Sequence, residues 1–499
     1  MAEELTPETP EESGEEPIKQ RKNGLYPGVS DELAENMKSG WADTELHGLE
    51  PIAQAEHTAR RRAALSARFP GERLVIPAGN LRTRSNDTEY SFRASTEYAY
   101  LTGDQSEDGV LVMEPVAGAK GTDGADGSGG GHEATIYLLP RSDRENGEFW
   151  LDGQGELWVG RRHSLAEAEQ LLGIPAKDVR KLPEQLREAT GPVRVVRGHD
   201  AAIQAALTDK VTAERDEELR VFVSEARLIK DEFEIAELQK ACDSTARGFE
   251  DVVRVLDRAE ATSERYIEGT FFLRARVEGN DIGYGSICAA GPHATTLHWV
   301  RNDGAVRAGE LLLLDAGVET TELYTADVTR TLPINGRFTP LQRKIYDAVH
   351  EAQEAGIAAV RPGAAFRDFH DAAQRVLATR LVEWGLLGDL DVEKVLELGL
   401  QRRWTLHGTG HMLGMDVHDC AAARTEAYVE ATLEPGMCLT VEPGLYFQAD
   451  DLTVPAEYRG IGVRIEDDIL VTEDGNRNLS AALPRDADEV EAWMAQLKG

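Results

Sequence analysis

No apolar run in the chain approaches the ~20 residues of a membrane span, and the opening MAEELTPETPEESGEEP lacks the basic and apolar regions of a secretory signal. Neither a membrane partner nor export is expected. Cysteine is scarce: Cys242, Cys288, Cys420 and Cys438 stand singly without CxxC spacing. That is the pattern of reduced packing thiols, and the expected location is the cytoplasm. Basic charge is also short, with 54 Lys and Arg against 89 Asp and Glu for a net charge of −35. Such a balance repels phosphate backbones and anionic lipid, so nucleic acid is excluded as an expected partner.

What remains is ample for a folded enzyme. A chain of 499 residues that is 41% hydrophobic can bury a sizeable core in two or three domains. Residues 1–45 read as a disordered acidic tail, with seven Glu and one Lys in the first twenty positions. From 50 to 222, helical stretches such as HSLAEAEQLLG alternate with strand-like runs such as RLVIPAG, GVLVMEP and ATIYLLP, the pattern of an α/β domain. A Gly/Asp-rich insert, AGAKGTDGADGSGGGHE, reads as a flexible surface loop. A second domain, 225–490, opens on a long amphipathic helix that Asp231 and Glu234 can cap. Another helix starts at Thr339, with Pro340 first and Gln342 completing a capping box. Helices and antiparallel-looking strands interleave here, an α+β pattern.

The informative polar residues sit on those strands. LLLL runs straight into Asp315, and after a hairpin Asp327 follows in TADVTRT. An unpaired carboxylate at the end of an apolar strand is costly. Glu442 closes the strand MCLTV in the same way. In GIGVRIEDDILV, period 2 places Ile461, Val463, Ile465, Ile469 and Val471 on one face and Arg464 with Glu466 on the other. Three histidines, His407, His411 and His418, gather in WTLHGTGHMLGMDVHDC. This group needs a common source of positive charge. Arg464 and Arg330 can supply some, and a pair of metal ions would supply much more.

In order and spacing, LLLLDAG, DVTRT, HGTGH with DVHD, LTVEPGLY and YRGIGVRIEDD resemble the signature of the dinuclear pita-bread metallopeptidases. The nearest likeness is the aminopeptidase P, or Xaa-Pro aminopeptidase, family. RSNDTEYSFRASTEYAYLTG is similar to that family's first-domain motif, so the resemblance spans roughly residues 50 to 485. It implies an N-terminal α/β domain followed by a C-terminal α+β pita-bread catalytic domain. It makes Asp315, Asp327, His411, Glu442 and Glu466 the metal ligands, with Asp327 and Glu466 bridging. His298, His407 and His418 match the family's substrate-binding and supporting histidines, and Arg464 orients a ligand carboxylate. Taken alone, His411 would more often be structural and DAG or EPG merely a turn; the joint order reverses those odds.

Two Mn²⁺ per chain are the expected cofactors, because four carboxylates and one imidazole form a hard, oxygen-rich site. Such a pair would acidify a water to attack the first residue's carbonyl, with Glu442 as proton shuttle and a proline nitrogen leaving. The implied activity is release of the N-terminal residue from peptides with proline second, by a homo-oligomer, dimer or tetramer. The alternatives are an Xaa-Pro dipeptidase, or a noncatalytic pita-bread interaction module. Four positions stay open. Tyr446 can be core or cleft, Ala99 stands where some members carry tryptophan, and Arg424 or Arg464 could clamp a free carboxylate.

Overall fold

The computed structural model describes residues 29–116 and 131–498. Most of the Gly/Asp-rich insert and the first 28 positions of the acidic tail lie outside the described residues. In the first half a five-stranded mixed sheet runs in the order Ala176–Asp178, His132–Leu138, Val110–Pro115, Arg73–Pro77, Val193–Val195. Arg73–Pro77 pairs antiparallel with Val110–Pro115 and parallel with Val193–Val195. Its consecutive Leu74, Val75 and Ile76 are all fully buried, because helices such as Ala55–Arg68, Thr96–Thr102 and Leu165–Leu172 accompany the sheet.

Residues 31–45, expected as disordered tail, are ordered in part. Asp31–Met37 is a helix capped by Ser30, and the chain beyond it docks on the first half. Trp41 meets Phe149 edge-on at 5.3 Å, Arg161 donates to Thr44 O at 2.8 Å, and Leu46 N–H reaches Glu167 at 2.6 Å. Composition cannot register these contacts, since the partners lie far along the chain.

Helix Ala213–Ala226 leads into helix Glu232–Glu260, where Asp231 and Glu234 form the capping box read from the sequence. The box at Thr339 and Gln342 likewise opens helix Pro340–Ala359. These helices pack with Glu264–Glu278, Asp368–Glu383 and Ala487–Lys498 around two antiparallel three-stranded sheets. One sheet joins Ile287–Ala290, Leu311–Ala316 and Val328–Pro333, and the other joins Cys438–Val441, Asp467–Thr472 and Gly475–Asn478. Among the described residues no helix is long and apolar enough to cross a membrane.

One strand departs from its sequence reading. GIGVRIEDDILV is two strands, Ile461–Arg464 and Asp467–Thr472, in different sheets. Their partners break at the matching place, Cys438–Val441 before Glu442 and Gly444–Phe447 after Pro443. Pro443 has no N–H to continue a ladder. Instead Glu442 N–H donates to Thr409 O at 2.8 Å and Glu466 N–H to Thr329 O at 3.1 Å. The shared break turns both glutamates into one cavity.

Candidate metal centre and catalytic cavity

Strand Leu311–Ala316 is wholly buried, and its register sets Asp315 opposite Thr329 and beside Ile287. Gly317 lets the hairpin close: a Cβ there would stand 1.7 Å from Ala326 O. With the strands so near, Asp315 and Asp327 share one hydroxyl, Tyr284 Oη lying 2.6 Å from an oxygen of each. Gly410 similarly allows the histidine segment to lie against Thr440 O, 1.9 Å from where its Cβ would be. His411 Nδ1–H donates to Met412 O at 3.1 Å. That fixes the tautomer and leaves Nε2 facing Asp327 at 3.3 Å and Glu442 at 3.6 Å.

These side chains line a cavity of about 520 Å³ together with His298, His407, His418, Glu466, Arg464 and the apolar Ile287, Leu297, Val300 and Val417. Ligating atoms of Asp327, His411 and Glu466 lie within 4.8 Å of one another. Burial, above all, pushes the carboxyls up, and their mutual repulsion adds to it. Glu442 is raised to about 7, Glu466 well above the usual range, and Asp315 is raised too. His411 rises as well: burial alone would lower it, but Asp327 and Glu442 outweigh that and raise it to about 9. Protons are thus drawn to a place where four carboxylates crowd, which is the signature of a donor set suited to divalent cations. The residues fit the expected metals on this ground. A second group, His57, Asp231 and Glu232, is taken up by Arg60 and Arg61 at the head of the long helix.

The arginines divide. Arg464 donates to Asp315, to Tyr446 Oη at 3.0 Å and to Thr329 Oγ1 at 3.2 Å, while Thr329 Oγ1 donates to Glu466 at 2.6 Å. Arg330 does not supply charge to the cavity. It is buried behind it, donating to Asp467 at 2.8 Å and to the backbone oxygens of Glu466 and Leu483. Arg424 is also elsewhere, held by Glu225 at 2.6 and 3.0 Å. Tyr446 is core: it is buried and does not line the cavity, and its hydroxyl lies behind the wall, 2.8 Å from His407 Nε2. His407 Nδ1–H donates to Gly408 O at 2.6 Å, so both ring nitrogens are engaged. Burial, reinforced by Arg464, lowers it to about 4 and keeps it neutral. Ala99 is buried in helix Thr96–Thr102 and lines no part of the cavity.

Sequence reading missed Tyr284 and Thr329. Only the glycines flanking Tyr284 in DIGYGS hint at a close approach, and Thr329 is visible solely as a neighbour of Asp327 in DVTRT.

Residues 236–473 match the model of metallopeptidase family M24, and residues 58–196 match that of the aminopeptidase P N-terminal domain. Xaa-Pro aminopeptidase 1 of Streptomyces coelicolor is 83% identical over the full length of both chains. The chain belongs to the aminopeptidase P family of M24 metallopeptidases. The Escherichia coli Xaa-Pro aminopeptidase is 33% identical, covering 89% of this chain and 98% of that protein. The solved structure of E. coli aminopeptidase P with the inhibitor Pro-Leu superposes with a TM-score of 0.77 at 32% identity, covering 90% of this chain and 100% of that one. The two-part architecture, an aminopeptidase P N-terminal domain followed by a pita-bread domain, is that of the family.

Proposed function

We propose that the protein releases the first residue from peptides whose second residue is proline, by metal-dependent hydrolysis with two Mn²⁺ per chain. The observation that carries this reading is the charge of the cavity wall. It gathers Asp315, Asp327, Glu442, Glu466 and His411, and among the described residues its one Lys or Arg is Arg464, already committed to Asp315 and Tyr446. A dipeptidase needs a free cation to capture the carboxylate that follows proline. This wall offers none, so a longer peptide is the better occupant, in keeping with relatives named Xaa-Pro aminopeptidase.

Asp315, Asp327, His411, Glu442 and Glu466 would hold the ions. Four carboxylates and one imidazole favour manganese over thiolate-loving zinc. When bound, the ions would supply Lewis acidity and lower the pKa of the attacking water. His298 and His418 are both exposed to the cavity and can donate N–H to the carbonyl oxygen as negative charge develops there. His407 has no free nitrogen and serves as a neutral support for Tyr446, a narrower role than donation to substrate. Glu442, 3.6 Å from His407 and from His411, passes a proton to the departing proline nitrogen. Arg464 holds Asp315 in place. The apolar part of the wall, Ile287, Leu297, Val300 and Val417, receives side chains without a donor-acceptor match, as a tertiary amide nitrogen lacking N–H requires.

A cytoplasmic location fits four free, buried cysteines. Assembly as a dimer or tetramer would cover Leu157, Trp158 and Val159, consecutive on one short helix and each about half exposed. The test is kcat/KM for an Xaa-Pro dipeptide against the same sequence extended by two residues. The extended peptide should win. A tenfold advantage for the dipeptide would make the protein an Xaa-Pro dipeptidase and leave the metal assignment standing.

A further inference from the structure

Among the described residues His418 has no hydrogen-bond partner; its ring meets that of His411 edge-on, 4.4 Å between centroids. Its place therefore follows the backbone of residues 414–419, which form neither helix nor strand. Backbone bonds tie the ends of this segment: Thr325 N–H donates to Gly414 O and Asp419 N–H to Met412 O, both at 3.0 Å. The middle is braced by side chains from elsewhere. Arg93 Nη2 donates to Met415 O at 2.8 Å, and its Nε donates to Glu319 at 2.6 Å, on the same hairpin as Asp315 and Asp327. Thr96 Oγ1 donates to Asp416 at 2.6 Å. Behind His418, Arg227 Nε and Lys230 Nζ donate to Asp419 at 3.1 and 2.9 Å, and all three are nearly fully buried. Cys420, next in line, is left-handed at φ 59°, a conformation that costs energy and persists only where the surroundings impose it.

Arg93 and Thr96 belong to FRAST, within the first-domain stretch that the sequence singles out, and neither lines the cavity. We propose that they are positioning residues: through them the first domain holds Met415 and Asp416 so that His418 faces the scissile carbonyl. The inference rests on the substrate role assigned to His418. The planar guanidinium of Arg93 can brace Glu319 and Met415 together because its donors diverge in one fork, which an ammonium cannot reproduce. A catalytic group displaced by about 1 Å loses on the order of 10²-fold in rate, so the brace acts on turnover more than on binding.

The experiment is a double-mutant cycle in the full, Mn²⁺-loaded protein, using an extended Xaa-Pro peptide. Arg93→Ala should lower kcat by about 10- to 100-fold while KM changes by less than about threefold, and Arg93→Lys should restore little. Thr96→Val, which removes only the hydroxyl, should act in the same direction more weakly, with Thr96→Ser close to wild type. In a His418→Ala background each substitution should cost less than about twofold, because the group it positions is gone. If either loss is undiminished in that background, the proposal is overturned while the reading of the site stands. A His418→Ala variant with wild-type kcat would sink both. Thr96→Val carries the cycle should Arg93→Ala not fold.

Discussion

Gly317→Ala probes what keeps the two aspartates together. A Cβ at this position would stand 1.7 Å from Ala326 O and 3.1 Å from the Tyr284 ring. A real Cβ is not found closer than 3.0 Å, so the facing strand must retreat by roughly 3.0 − 1.7 = 1.3 Å. The obstacle is backbone and cannot swing aside as a side chain would. Overpacking of this kind costs about 1–3 kcal/mol of stability. The larger effect is on the site. Tyr284 spans Asp315 and Asp327 with two 2.6 Å contacts, and a retreat of about 1 Å parts the carboxylates it joins. A displacement of that size lowers turnover by on the order of 10²-fold, with weaker retention of metal. The assay is metal content after gel filtration, alongside kcat/KM on an extended Xaa-Pro peptide. A variant that kept two metals and wild-type kcat/KM would refute the claim that this close approach sets the aspartate pair.

Arg464→Lys should lower kcat/KM by about 10- to 100-fold with the fold intact, since an ammonium cannot serve Asp315, Tyr446 and Thr329 at once; near-normal activity would remove Arg464 from the site. Lys230→Met should cost about 3–5 kcal/mol in chemical denaturation, because Asp419 loses its nearest cation within the protein. Burial pushes the Asp419 carboxyl up, but Lys230 and Arg227 outweigh it and hold it well below the usual range. A depressed carboxylate contributes stability above the unfolded value near 4 and loses it as pH falls below. Acid unfolding of the Lys230→Met variant should therefore begin at higher pH than in wild type, and unchanged acid and denaturant midpoints would contradict the pairing.

Local signals were the legible ones. The capping boxes at Asp231 and Thr339 form as their sequences indicate, because a cap depends on residues three apart. Apolar strands ending in carboxylates were visible for a related reason: a charge placed where an apolar run stops has no local explanation. The break at Glu442–Pro443 was hidden, since it arises from the pairing of two strands and a sheet change that alternation alone cannot encode. Arg330 looked like a cavity cation from its place in DVTRT, whereas strand pleating turns it behind the sheet to Asp467. Tyr284 acts through a hairpin more than thirty residues later, beyond any local period. The ordered part of the acidic tail depends on Phe149, Arg161 and Glu167, equally remote.

The most direct measurement is product analysis by mass spectrometry on a tetrapeptide Xaa-Pro-Yaa-Zaa, with the protein as purified, after chelation, and after return of Mn²⁺. Free Xaa and the intact tripeptide Pro-Yaa-Zaa should appear with metal, cease on chelation, and resume with Mn²⁺. Release of the dipeptide Xaa-Pro, or cleavage that persists undiminished after the metal has been removed, would contradict the assignment.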